Sequence, residues 1–574
     1  GLAGNHGARP VWNEAIAAFV PGNLPKGVSV AGAAKGSMTL AVCLAEGAKA
    51  GAEAAQAAGF SDAAPISAPR ADDEPCAIAP LWEVPDSIGK GFVDFQNDVS
   101  SSDVVLAERE GFRSVEHLKR YTTLGMATDQ GKIGNINGLA ILAKQSGRTI
   151  PQTGTTIYRP PFVPVAIGAI AGHHRGKEFR PFRLPPSHDW AVEQGAVFME
   201  TGYWLRAQYY PRAGENDWLT TVKREVETVR NTVGFCDVTT LGKIDVQGPD
   251  AGVFLDRLYI NAWSTLGVGK ARYGIMLRED GFVMDDGTTS RLAEDRFFMT
   301  TTTANAARVF QHMHFCHQVL WPELDVQFIS VTDQWGSFSV AGPRARDTLA
   351  KLVDPPFDIS NEAFPYMACG ELTVCGGIPA RLFRISFSGE LAYEIAVSAR
   401  YGDALARKLM EAGAEYGITP YGTEALSVMR IEKGHFAGNE VDGRTTAADL
   451  GVGKMMSTKK DFIGKVMAGR PALNAPDRQV LVGFKPVETD RQLRAGTHLL
   501  TKGAEVSLEN DQGVMTSVAY SQTLGHWIAL GLLARGRDRI GEIVRAYDPV
   551  RNGDYEVEVC SPIFVDPKGE KLRV

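Results

Sequence analysis

The chain has 574 residues, 44% hydrophobic and 22% charged, with a formal net charge of -7. That length exceeds what one hydrophobic core serves, so two to four domains are expected, and the composition is that of an ordinary globular protein. A mild negative charge without a basic block argues against nucleic acid as a partner. The longest apolar runs, such as residues 163–172, are too short to span a bilayer, and no charged-then-apolar leader opens the chain. The expectation is a cytoplasmic protein. Seven cysteines at 43, 76, 236, 316, 369, 375 and 560 form no CxxC pair and fit buried thiols in a reducing compartment.

In chain order, residues 27–59 read as a short apolar strand, a glycine-rich turn at Gly32 to Gly36 and an Ala-rich helix. The N-terminus of that helix could face an anion, which makes Gly32 and Gly36 candidate cofactor-binding positions, with bare packing as the alternative. About 60 residues cannot hold a whole nucleotide-binding domain, so residues 1–60 are expected to be its C-terminal end, with the remainder upstream. Residues 61–178 read as a linker and helical bridge. They contain an Ala/Pro/Asp-rich stretch, two short helices with caps at Ser102 or Asp103 and at Ser114, and the proline-rich run 156–172, which suits a bridge lying against another surface.

From residue 179 strands and helices alternate. Residues 203–209 read as strand, 220–233 helix, 243–247 strand, 251–258 helix and 273–302 an antiparallel meander, followed by a helix from Ala304 and a strand at 326–332. Hairpins mixed with helices argue α+β and not a doubly wound parallel sheet. After residue 475 the segments are short and mostly β, as in a small barrel spanning 476–574.

The segment "HMHFCH" at 312–317 is the nearest approach to a metal signature. On a helix, His312 and Cys316 share one face while His314 and His317 share another, so four donors cannot converge and no metal is expected. The hairpin "YGIMLREDGFVMDDGTTSRL" at 273–292 raises a sharper question, because it puts two adjacent acids in a strand. Strict alternation sends Phe282, Met284 and Asp286 one way and Val283 and Asp285 the other. An inward carboxylate requires hydrogen-bond donors or a cationic ligand. One alternative is an acid pair pinning the N–H groups of a neighbouring loop; another is a pocket for an N–H-rich ligand such as a pterin. Glu394, in the turn-flanked strand of "SFSGELAYEIAV", is a second strand-borne acid of this kind.

The stretches "VGFCDVTTLGKIDVQGPDA", "YGIMLREDGFVMDDGTTSRL", "SFSGELAYEIAV", "MRIEKGHFAGNEVDGRTTAADLG" and "GVMTSVAYSQTLGHWIALGLL", in this order, resemble the aminomethyltransferase (T-protein) of the glycine cleavage system and its folate-binding relatives. Before residue 180, "VAGAAKG", "SVEHLKRYTTLGMATDQGK" and "GTTIYRPPFVPVAIGAIAG" resemble α subunits of heterotetrameric sarcosine oxidases. The resemblance implies a T-protein-like folate-binding region at 179–475 with a central hole for tetrahydrofolate. Asp286 would lie beside the folate N10 as the catalytic acid, an ionised carboxylate stabilising positive charge during transfer. Glu394 would lie on the pterin edge, with Phe298 and Thr302 near the ligand.

One departure stands out: Ala425-Leu426-Ser427 replace the Ala-Arg-Asp of T-proteins, so the arginine expected near the glutamate tail is absent. The further implication is an oxidoreductase acting on CH–NH with oxygen as acceptor, a heterotetramer with smaller subunits. FAD and FMN would lie on or shared with a partner β subunit, and NAD would bind only with the upstream portion present. The imine derived from sarcosine would be captured as 5,10-methylenetetrahydrofolate, giving glycine and hydrogen peroxide. Three alternatives are an aminomethyltransferase acting outside an oxidase, a non-catalytic folate-binding subunit, and a folate-binding tRNA-modification or iron–sulfur assembly factor. The last is disfavoured because "KGHFAGNE" carries His435 where that family's motif has cysteine. The segments "DFQND" and "DQGK" have the spacing of small [2Fe-2S] modules but no cysteines, so that module reads as scaffold.

Overall fold

The computed structural model describes residues 2–5, 7–60, 66–156, 158, 163–178 and 181–574, divided into two compact units at Arg180/Pro181. In the first unit, a hairpin pairs Pro10–Asn13 with Ala18–Pro21, and the helix Leu40–Ala57 buries none of its side chains. The expected strand before Gly32 is absent: Gly32–Ala34 is a 3-10 turn, and the strands lie earlier in the chain. A small helical cluster, Ser101–Arg109, Val115–Thr122 and Asn135–Gln145, closes over Val93, Val104, Leu118, Ile141 and Leu142. Its first helix begins with a capping box in which Ser100 is the N-cap and Asp103 the N3 partner, two positions before the expected cap at Ser102. Part of the proline-rich run lies outside the described residues.

The second unit holds a five-stranded sheet, a six-stranded sheet and a closed six-stranded barrel. The five-stranded sheet is antiparallel throughout. Its spatial order is Gln327–Ser330, Gly242–Gln247, Arg296–Thr301, Val283–Ala293, Lys270–Leu277. Alternate residues on its strands supply Ile244, Val246, Phe297 and Met299 to a core shared with the helices Ala251–Leu258 and Ala306–Phe315. The six-stranded sheet runs Cys369–Val374, Ile378–Phe383, Ala392–Ser398, Trp335–Ala341, Gly234–Asp237, Thr419–Pro420. Its outer face gives Phe338, Val340, Tyr393 and Ile395 to a second core with Leu405 and Leu409 of the helix Gly402–Gly413. Each sheet thus spends its apolar face outward on helices, which leaves the opposed inner faces free to be polar.

The barrel closes through Gln479–Pro486 pairing with both His526–Ala534 and Gly553–Cys560. The strand Asp511–Ser521 alternates buried and half-buried residues along most of its length, the period-2 pattern of a barrel wall. The helix Thr423–Lys433 ties the layers together. Its Glu432 accepts from Arg230 and from Ser521 (2.5 Å) of the barrel, and Arg230 also donates to Glu390 at 2.7 Å. Those charges are almost fully buried, so removing one partner would strand the others at a cost of about 3–5 kcal/mol.

Candidate functional site

The inner face of the five-stranded sheet is laid out in cross-strand rows. Lys243 stands opposite Thr300, Thr300 exchanges hydrogen bonds with Thr288, and Thr288 stands opposite Tyr273. In the neighbouring row Phe298 stands between Asp245 and Ser290. The six-stranded sheet opposes these rows with Ser337, Phe383, Glu394 and Ala396, and together the two faces bound a narrow cleft. Phe298 stacks on Phe383 with ring centroids 5.4 Å apart and forms an apolar wall.

The adjacent acids are separated by a bulge. Val283 pairs with Leu277 and Asp285 with Met276, so Met284 is the extra residue in its strand. Strict alternation therefore fails here. Met284 packs outward with Met276, Phe297 and Met299, whereas Val283 packs with Leu277 and Ile275. The insertion puts Met284 and Asp285 on the helix side, and Asp286 returns to the inner face, two positions from Thr288.

Asp285 is 3% exposed and accepts from Asn305 Nδ2 at 3.0 Å and from the Thr302 amide at 3.3 Å. Burial and the adjacent Asp286 push its pKa up to about 7. Asp286, only partly buried, accepts from the Tyr273 hydroxyl at 2.7 Å and makes a long contact with the Thr302 hydroxyl at 3.5 Å. Desolvation lifts its carboxyl above the usual range, while the Tyr273 and Thr302 hydroxyls pull it back. Burial and the two hydroxyls thus act in opposite directions, and the hydroxyls favour the charged carboxylate. Thr302, the residue just after the strand Arg296–Thr301, is the common partner of both acids.

Glu394 lies across the cleft. Burial pushes it up to about 7, and the charge of Lys243 is the opposing influence. Among the described residues no group donates a hydrogen bond to its carboxylate. Lys243 is 2% exposed, and burial draws its pKa down to about 8. Sequence reasoning passed over Lys243. The available signal was the alternation of "GKIDVQ", which puts Lys243 on one face with Asp245 and Gln247, but nothing local places it opposite Glu394.

The remaining candidates are engaged by neighbours of their own. The Gly32 amide donates to Glu46 Oε2 at 2.8 Å, and Glu46 also accepts from Lys35 and Ser37, so the glycine turn is tied to its own helix. Gly32 and Gly36 both have positive φ, +65° and +109°, a backbone conformation that favours glycine. In the histidine segment, His312 contacts Cys316, His314 packs on Phe310 and Phe328, and His317 meets the Leu324 carbonyl at 3.0 Å. His435 stacks on Phe387, and burial draws it down to about 4.

Three family models match. The GCVT N-terminal domain covers residues 187–460, the glycine cleavage T-protein C-terminal barrel domain 479–566 and the sarcosine oxidase A3 domain 88–173. The aminomethyltransferase of Corynebacterium aurimucosum is 31% identical over 350 residues, 61% of this chain and 89% of that protein. The chain belongs to the aminomethyltransferase family. Within that family's fold, the glycine cleavage aminomethyltransferase T of Bartonella henselae aligns with a TM-score of 0.58 at 25% identity, over 67% of this chain and 99% of that one. The sarcosine oxidase subunit alpha of Rhizobium meliloti is 52% identical over 100% of this chain and 58% of its own length. That of Corynebacterium sp. strain P-1 is 43% identical over 98% of this chain and 59% of its own length. The chain thus spans about three fifths of the sarcosine oxidase α subunits it matches. The T-protein-like fold with its C-terminal barrel agrees with the α+β architecture expected from the sequence. Among the described residues no helix is long and apolar enough to cross a membrane.

Proposed function

We propose that this chain is the folate-side α subunit of a sarcosine oxidase complex. It would bind tetrahydrofolate in the cleft between the two sheets and capture the imine released by oxidative demethylation of sarcosine. The observation that carries the folate reading is Glu394, a carboxylate in the cleft to which no group among the described residues donates a hydrogen bond. A pterin edge rich in N–H groups supplies the missing donors, and the Phe298–Phe383 pair suits a flat heteroaromatic ring.

Bound tetrahydrofolate supplies the nitrogen nucleophiles that accept the one-carbon unit. The chain's residues do the rest. Glu394 orients the ring, and its negative charge is favoured by N–H donors that replace lost water. Tyr273 and Thr302 hold Asp286 by its two oxygens, so that the carboxylate faces the positive charge developing on nitrogen. Its raised pKa suits it to receive the proton released from N10. FAD and FMN belong in this reading to a partner β subunit, which generates the imine and passes electrons to oxygen. The products are glycine, hydrogen peroxide and 5,10-methylenetetrahydrofolate.

An aminomethyltransferase acting outside an oxidase is the competing reading. The match of residues 88–173 to a sarcosine oxidase domain, and the 52% identity to a sarcosine oxidase α subunit over the whole chain, favour the oxidase. Titration calorimetry of the chain with tetrahydrofolate under reducing, anaerobic conditions is the test. Saturable binding with one site per chain is expected; no heat of binding with the protein folded refutes the folate reading.

A further inference from the structure

Lys243 is a buried ammonium that the roles given to Asp286 and Glu394 leave unused. Its side chain projects from the strand Gly242–Gln247 onto the inner face, in the same cross-strand row as Thr300 and Thr288. Its ammonium donates to the carbonyls of Thr239 and Leu241, the latter at 3.2 Å. An ammonium has three protons to donate, and these two carbonyls take two. No carboxylate among the described residues pairs with it within salt-bridge distance, although Asp237, Glu394 and Asp333 bear on it through space. The two carbonyls fix the nitrogen so that it meets a ligand without first being ordered, which lowers the cost of the contact.

The cleft therefore offers an unmatched donor and an unmatched acceptor, Lys243 and Glu394, on opposed sheets. A ligand that satisfies both carries an N–H edge for the carboxylate and a carbonyl oxygen for the ammonium. We infer that Lys243 is a specificity-determining residue that donates to the ring carbonyl of a lactam heterocycle held by Glu394. In the folate reading, on which this inference rests, that carbonyl is the 4-oxo group of the pterin. An amino group in its place presents a donor to a donor, and a buried polar mismatch of this kind is the strongest discriminator a site can build.

The test compares tetrahydrofolate with its 2,4-diamino counterpart, tetrahydroaminopterin, on the wild type, Lys243→Met and Lys243→Gln, with affinities from titration calorimetry and folding followed by thermal denaturation. Loss of a charge-assisted contact weakens tetrahydrofolate by about tenfold or more. The diamino ligand, which never made the contact, should hold its affinity within about threefold in Lys243→Met, so the oxo-to-diamino ratio falls roughly tenfold. The ratio is independent of how much protein is folded, and the two replacements guard against one failing to fold. Equal losses for both ligands, or none for tetrahydrofolate, overturn the inference while leaving the folate reading intact. A folded wild type that binds neither ligand overturns both.

Discussion

Replacing Asp286 by asparagine isolates charge from shape. The amide side chain keeps an oxygen for the Tyr273 hydroxyl, which stands 2.7 Å from the native carboxylate, so the local hydrogen bond and the bulge at Met284 have no reason to change. What disappears is the negative charge and the proton acceptor. A preorganised group aimed at developing charge typically contributes about a hundredfold or more to the step it serves, equivalent to about 3 kcal/mol. In the proposed reading the flavin reaction lies in a partner subunit and uses none of these residues, so oxygen uptake with sarcosine should remain near normal in the reconstituted complex. Imine that is not captured hydrolyses to formaldehyde and glycine. The assay is therefore the ratio of formaldehyde to 5,10-methylenetetrahydrofolate at saturating folate, with tetrahydrofolate affinity measured separately. A rise in formaldehyde at the expense of the folate product, with affinity changed by less than about tenfold, is the expected outcome. A wild-type product ratio in Asp286→Asn refutes the reasoning, and the acid pair would then serve only to pin the loop at Thr302.

Two further outcomes follow from the same cleft. Glu394→Ala removes the acceptor for the ligand's N–H groups, a charge-assisted contact of about 1.5–3 kcal/mol, so tetrahydrofolate affinity should fall about tenfold or more by calorimetry; unchanged affinity makes Glu394 structural. Asp285→Asn should leave the product ratio close to wild type, because Asp285 lies on the helix side with Asn305 and the Thr302 amide as partners. Its effect belongs to stability. A folded-state pKa of about 7 against 3.8 unfolded means that the native state holds the proton more tightly, so this contribution is complete below about pH 4 and is lost as pH rises through 7. Asp285→Asn, with the Asn305 amide turned to accept, should therefore flatten the fall in denaturation midpoint between pH 4 and 8. The upper limit is about 4 kcal/mol from the full shift. A pH profile identical to wild type would show that Asp285 does not carry the proton.

Much of the fold is written locally. The apolar spacing of residues 251–258 defines the helix Ala251–Leu258, and the alternation in "GVMTSVAYS" defines a barrel wall, because helix and strand periodicities are properties of neighbouring residues. The turn at Arg278 to Gly281 and the motif stretches marked the hairpin and the family. The same local logic misread residues 27–31, where an apolar run without paired neighbours forms no strand. It also misassigned the faces around Met284, because a single inserted residue inverts every alternation before it and leaves no mark in composition. Asp286 and Glu394 were legible as acids in unexpected places, yet their chemistry was not. Whether a strand-borne carboxylate is satisfied depends on donors from other strands: Tyr273 and Thr302 reach Asp286, and among the described residues nothing reaches Glu394. Lys243 carries the clearest lesson. Its place opposite Glu394 exists only once two sheets, formed from segments about 150 residues apart in the chain, are laid face to face. The sequence by itself determined most of the elements, the family and the identity of the charged groups. Only the tertiary structure decided which of those groups are paired and which are left facing the cleft, since desolvation and hydrogen-bond satisfaction are set by residues distant along the chain.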